Sequence, residues 1–315
     1  MTNNIPFISD EQIKKLLPMN EAIELMKNAF VQITNKSVSI PQRLNIDMPE
    51  VNADSLIMPV FSAAEKKYGV KIVSMNRDNP SKNLPFIHAV MILLDAENGK
   101  PLALLDAENL TAVRTGAASA LATKILSNNN SSIAAVFGAG IQARYQLRAI
   151  CEVRNIKDVL LFDNDQSRAQ SFKDEMELKL GLNIEICSDQ NLLKDAQIIC
   201  TATTSSVPVF EDKYITEGTH VNAIGSYQPN KREIPSETVA RSKIFVDSRE
   251  ACLQEAGDLI IPKNEGIEFE VTEMGELLLN KESGRLTKEE ITFFKSVGNA
   301  AQDLTSAIHI FKKIK

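Results

Sequence analysis

Residues 131–143 read SSIAAVFGAGIQA. A short apolar run, Ile133–Phe137, leads into Gly138, Gly140 and Ala143 in the spacing G-x-G-x-x-A, and a helical stretch follows near Ile141–Val153. Each position has its own reason. The first glycine lets the chain turn sharply off the strand. The second lacks a side chain, so backbone can approach a pyrophosphate. The small third residue lets the new helix pack on the sheet. Free N–H groups and the helix dipole then face the anion. The segment predicts a strand, a phosphate-cradling turn and a helix, the start of a dinucleotide-binding unit in which Gly138, Gly140, Ile141, Gln142 and Ala143 meet the ligand.

Outward from this unit the pattern holds downstream. Asp158–Phe162, Asn183–Ile186, Ala196–Thr201, Thr219–Ile224 and Lys243–Val246 are short apolar runs, as expected for strands of a buried parallel sheet. Helical stretches such as Gln166–Leu180 separate the early ones, giving the doubly wound α/β alternation. Upstream the pattern differs. A helix with Ile23, Met26, Phe30 and Ile33 on one face, capped at Asn20, precedes candidate strands Leu44–Met48, Asp54–Pro59, Gly69–Ser74, His88–Leu94 and Pro101–Leu105. Asn98-Gly99 is a hairpin turn between the last two. The first third therefore reads as a helix plus a mostly antiparallel sheet. Ala117–Leu126 reads as a small-residue helix. The tail departs from the strand–helix alternation. Ile291–Lys295 reads as a strand, Thr287-x-x-Glu290 as a turn, and Asn299–Lys313 as an amphipathic helix that folds back on the first domain. This predicts a discontinuous domain, 1–116 with 299–315, and a Rossmann domain, 117–298.

Composition bounds the function. The 315 residues, 43% of them hydrophobic, suffice for about two domains. The net charge of −6 and the lack of a basic stripe argue against nucleic acid as a partner. The densest basic segment, Lys312, Lys313 and Lys315, reads as a solvated helix end. No apolar window approaches the ~18 residues that span a membrane. The opening MTNNIPFISDEQ lacks the charged head and apolar stretch of a signal peptide, so a cytoplasmic setting is expected. Cys151, Cys187, Cys200 and Cys252 lie far apart with no metal-ligand spacing, and Cys187 and Cys200 read as buried small hydrophobes. His88, His220 and His309 are scattered and read as core or surface residues.

Several polar residues carry candidate chemistry. Asp163 follows the second strand of the nucleotide unit, where a carboxylate binds ribose hydroxyls and repels a 2′-phosphate; this favours NAD and leaves NADP open. Thr201, Ala202 and Thr203 end a strand at the carboxyl edge, where ligands bind in this architecture. Lys71 sits inside an apolar strand, a costly position unless it faces a site. A half-buried lysine can donate a proton to an imine or carbonyl. Arg43 and Arg114 have the bidentate geometry for a carboxylate.

The pieces VKIVS, LTAVRTGAASALATKIL, VFGAGIQA, ICTATTSSVPVF, HVNAIGSYQPNKREI, FVDSREACLQEAGDL and FFKSVGNAAQDL occur in one order from about Arg43 to Leu304. Together they resemble the ornithine cyclodeaminase/mu-crystallin family. The resemblance implies an NAD(P)-dependent enzyme acting on the Cα–N bond of an amino or imino acid, with a substrate and dimerisation domain beside the Rossmann domain. It places Arg43 and Arg114 on the substrate carboxylate and makes Lys71 the proton donor or orienting cation. It sets Thr115 and the Gly138–Ala143 loop on the cofactor phosphates, and Ser296, Val297 and Gly298 near the nicotinamide. It also implies a homodimer. Tyr227 stands where ornithine cyclodeaminases of this family carry an aspartate, and a phenol is a poor base at neutral pH. The reading favours a reductase of a cyclic ketimine such as 1-pyrroline-2-carboxylate, or a related amino-acid dehydrogenase. The alternatives are ornithine cyclodeamination and a non-enzymatic binding protein.

Overall fold

The computed structural model describes residues 4–82 and 84–314. Lys315 of the basic segment, Asn83 and the first three residues lie outside the described residues. The chain divides into two compact units, Met1–Arg114 with Asn299–Lys315, and Thr115–Gly298.

The first unit is built on an antiparallel meander of Ala53–Ser62, Lys67–Asn76, Ile87–Asp95 and Pro101–Asp106. Val38–Ser39 and Leu44–Met48 pair with its first strand, and Phe7–Ile8 pairs parallel to its last. Gly99, at φ +74°, turns the final hairpin. Side chains alternate across such a sheet. Leu56, Met58, Val60, Val73, Met75, Met91, Leu93, Ala103 and Leu105 all point to one buried face. The Ala300–Lys313 helix packs on that face, and the Met19–Thr34 helix packs on it in turn. Pro18, not Asn20, is the residue that precedes the latter helix.

Ala300–Lys313 is buried almost all round. Ala300, Ala301, Leu304, Ala307, Ile308, Ile310 and Phe311 bury with it, as do Gln302, Asp303 and Ser306. Thr305, His309, Lys312 and Lys313 form its one partly exposed stripe, as expected of an amphipathic helix. The opposite face of the sheet is also apolar. Leu44, Ile57, Ile72 and Val90 form one cross-strand row there. Leu44, Ile46, Phe61 and Ile72 on that face are 59%, 42%, 40% and 41% exposed.

The second unit is a parallel sheet in the order Asn183–Ile186, Asp158–Phe162, Ile133–Phe137, Ile198–Thr201, His220–Ala223, Ile291–Lys295, Ser242–Val246, Val271–Glu273. The chain builds outward from Ile133–Phe137 in one direction, then returns to add strands on its other side. The switch point lies between Ile133–Phe137 and Ile198–Thr201, where open α/β sheets bind ligands. Ile291–Lys295 forms the expected strand. It lies within the 117–298 domain as expected, and the structure adds its place: an interior strand of this sheet, paired on both edges. Its five residues are all buried, which demands two covered faces. The helix expected over Ala117–Leu126 starts earlier, at Ala107. Its first turns carry Thr and Val, whose β-branching hides the helical pattern. The Thr287–Glu290 turn forms as expected: Thr287 Oγ1 accepts the Glu290 N–H at 3.3 Å.

His220 is a core residue, its ring nitrogens held by Thr292 and Asn222. Burial first, then the Arg285 charge, pushes its pKa down to about 3, so it stays neutral. Cys187, Cys200 and Cys252 are buried. No helix of the described residues is long and apolar enough to cross a membrane.

Candidate active site

In the first unit the chemistry starts from one strand position. Lys71 shares the inward face of its sheet with Met58 and Met91, its cross-strand partners. It is 1% exposed. An ammonium among methionines needs a counter-ion, and Asp303 provides it, with Oδ2 2.8 Å from Nζ. The contact is close but poorly aligned for a hydrogen bond, so the ammonium hydrogens keep no well-directed acceptor among the described residues. Burial is the largest influence on this lysine, followed by the Arg114 charge. Both push its pKa down, with a smaller push from Arg43, while Asp303 opposes them, and the result is about 7. A group poised there can hold or release a proton at neutral pH.

Asp303 also serves Arg114. Its Oδ1 accepts from Arg114 Nε at 3.0 Å, while Gln302 Oε1 accepts from Arg114 Nη1 at 2.8 Å. The guanidinium is thus held at two of its three nitrogens, and Nη2 takes no part in either contact. The structure brings Lys71 and Arg114 onto one fully buried carboxylate, with Arg43 near enough for its charge to act on Lys71. Such a site carries surplus positive charge and suits an anion with a planar, two-oxygen head. Asp303 and Gln302 were not among the residues singled out from sequence. The available signal was two adjacent polar residues after Ala300 and Ala301 in the first turn of the final helix.

In the second unit the carboxyl edge carries the other predicted residues. Gly138 adopts φ +95°, and an added Cβ would lie 2.7 Å from the Ala202 carbonyl oxygen. Only glycine fits that turn, and it brings the loop against Ala202 and Thr203. Gly140 has ordinary φ, but a Cβ there meets nothing within 4 Å. It opens the Ile141–Cys151 helix with no side-chain cap on its first N–H groups. Gln142 Oε1, at the start of that helix, has no partner among the described residues either. An open cradle before an uncapped helix N-terminus fits the phosphates of a dinucleotide.

Asp163 plays a part the sequence did not show. It accepts the Ala139 N–H at 2.7 Å, the Asp165 N–H at 2.8 Å and the Arg168 guanidinium at 2.9 Å. A carboxylate has about four acceptor positions, so one stays open for a ribose hydroxyl. Its first task is to brace the glycine loop. Arg168 was also missed, because it lies five positions beyond Asp163 and only the fold brings it back.

Other carboxylates pin the remaining loops. Glu233 accepts from Thr203 N at 2.7 Å, Gly225 N at 2.8 Å and Thr201 Oγ1 at 2.9 Å. Burial and the neighbouring Asp258 push its carboxyl up. Asp258 accepts the N–H groups of Glu233 and Ile234, and its Oδ2 lies 2.7 Å from the buried ammonium of Lys295. Asp247 accepts from Ser296 Oγ at 2.6 Å and Gly298 N at 2.9 Å, fixing the turn Ser296–Val297–Gly298. Thr115 is buried on the Ala107–Leu126 helix, directly after Arg114. Tyr227 is half-buried and packs on the apolar core of this unit.

Known proteins resemble the chain along nearly its whole length. The family model for the ornithine cyclodeaminase/mu-crystallin family matches residues 6–315. A Delta(1)-pyrroline-2-carboxylate reductase of Bacillus cereus is 35% identical over 312 residues, covering 97% of this chain and 95% of that protein. The structure of the Thermococcus litoralis Delta(1)-pyrroline-2-carboxylate reductase, in complex with NADH and L-proline, superposes with a TM-score of 0.94. It shares 39% identity and covers 98% of this chain and 97% of its own. An archaeal alanine dehydrogenase dimer with bound NAD follows at a TM-score of 0.89 and 30% identity, over 98% of this chain and 95% of that one.

Proposed function

The chain belongs to the ornithine cyclodeaminase/mu-crystallin family, and on that footing we propose that it reduces a cyclic imino acid, 1-pyrroline-2-carboxylate, to L-proline with NADH. The observation that carries this reading is the buried Lys71–Asp303–Arg114 cluster. It offers cations for a carboxylate and an acid for the adjacent nitrogen, and its lysine is held near neutrality. Full-length reductases of this substrate are similar across the whole chain.

The substrate carboxylate binds Arg114 and Arg43, an orientation that costs little because Asp303 and Gln302 already fix the Arg114 plane. Bound NADH supplies a hydride to the imine carbon. Lys71 delivers the proton that the ring nitrogen needs, so C=N becomes CH–NH and the lysine is left neutral until solvent recharges it. Asp303 keeps the charged form of Lys71 populated and does not itself move a proton. In the second unit, Thr115, Gly138, Gly140, Ile141, Gln142 and Ala143 hold the cofactor phosphates. Asp163 meets its ribose, and Thr201, Ala202, Thr203, Ser296, Val297 and Gly298 lie along its nicotinamide half.

Tyr227 favours reduction of a preformed imine over ornithine cyclodeamination. It presents no carboxylate to activate an amine, and it packs on apolar side chains. The apolar outer face of the first unit's sheet is the dimer surface in this reading, since patches of exposed Leu, Ile and Phe in strands are usually covered by a partner. NADH oxidation by the purified protein with 1-pyrroline-2-carboxylate, with L-proline as the product by mass, tests the assignment. No turnover with that imine defeats it. Ammonia release from ornithine without net NADH would move it to the cyclodeaminase branch.

A further inference from the structure

The Gln302 side chain is fully buried, yet half of it has no partner. Its Oε1 is saturated: it accepts Arg114 Nη1 at 2.8 Å and the Asn299 N–H at 3.3 Å. Its Nε2, with two N–H donors, has no acceptor among the described residues. The amide cannot simply be turned over, because Nε2 would then face two donors. A glutamate would perform both visible tasks as well or better. It is a preferred partner in the capping box that Asn299 and residue 302 form, and it would pair with the Arg114 charge. What a glutamate cannot do is donate. A buried donor without an acceptor is costly unless a ligand supplies one.

We infer that Gln302 is a further substrate-contact residue, whose Nε2 donates to a carboxylate oxygen of the amino or imino acid held by Arg114. The inference rests on the functional reading above. The Oε1 bond to Arg114 holds the amide beside the guanidinium, so the two groups offer neighbouring N–H donors to one two-oxygen anion. Asp303 occupies the other edge of Arg114 and the ammonium of Lys71. Gln302 is therefore the neutral member of the cluster: it adds donors without adding charge beside the lysine that must release a proton.

The test is Gln302→Glu, which keeps the cap and the Arg114 contact but replaces the donors with a negative charge, beside Gln302→Met, which removes the donors and adds no charge; both must weaken substrate binding. KM for 1-pyrroline-2-carboxylate is expected to rise at least tenfold in both, with the NADH Kd, read from NADH fluorescence, unchanged in both and the melting temperature unchanged in Gln302→Glu. A KM within twofold of wild type in either variant overturns the inference. If the wild type itself fails to oxidise NADH with this imine, the functional reading falls. Gln302 is then judged by the thermal shift that L-proline produces. A shift lost in both variants supports the contact; a shift that persists in either, or is missing from the wild type, overturns it.

Discussion

Both units bury carboxylates, but they use them in opposite ways. On the parallel sheet, Asp163, Glu233, Asp247 and Asp258 are filled largely by backbone N–H groups, and each ties a loop at the carboxyl edge. In the antiparallel-sheet unit, Asp303 of the final helix faces two side-chain cations, Lys71 and Arg114. A carboxylate spent on backbone amides freezes geometry. One that faces a lysine and an arginine sets charge and proton affinity. The first arrangement is scaffolding for a ligand that binds by shape, and the second is chemistry.

The contrast can be broken in order of effect. Lys71→Met should lower kcat by about a thousandfold, the scale of a lost general acid, and leave the NADH Kd unchanged. Near-normal turnover would make the cluster mere packing. Asp303→Asn keeps the shape and should cost about a hundredfold in kcat/KM through misplaced Arg114 and Lys71. It should also shift the alkaline limb of the pH profile to lower pH, because the group that raises the lysine's proton affinity is gone. A purely structural aspartate would leave that limb in place. In the wild type, kcat/KM should fall about tenfold per pH unit above a pH of about 7, since the donor is the protonated lysine and burial with Arg114 holds it down there. A flat profile to a pH of about 9 would remove Lys71 as the acid. Smallest is Glu233→Gln. Losing one backbone acceptor should raise the NADH Kd roughly fivefold, with the pH limb unmoved. A moved limb would erase the distinction between the two regions.

The same contrast explains what could be read in advance. The glycine loop and its strands were legible because their geometry is local: G-x-G-x-x-A follows an apolar run within residues 131–143. Lys71 and Arg114 were legible as charges in apolar surroundings. Asp303 and Gln302 were not, because their meaning comes from partners far away in the chain, Arg114 and Asp303 being separated by 189 positions. The loop-bracing carboxylates were hidden for a related reason. An acid that bonds backbone looks, in sequence, like any acid after a strand. Ile291–Lys295 was recognised as a strand of the 117–298 domain but not placed between its neighbours, since periodicity tells which faces are covered and not by which strands.

The final helix of the first unit sets a timetable for biosynthesis. While the ribosome adds the 189 positions that take the chain from Arg114 to Asp303, the meander already holds a lysine on its apolar face with no counter-ion. That sheet cannot close at full stability until residues 299–313 arrive and dock. The parallel-sheet unit, complete by residue 298, has its segments in hand before the first unit does. The unit whose synthesis begins first is thus the one finished last, and a nascent chain lacking its closing helix has no assembled acid to protonate an imine.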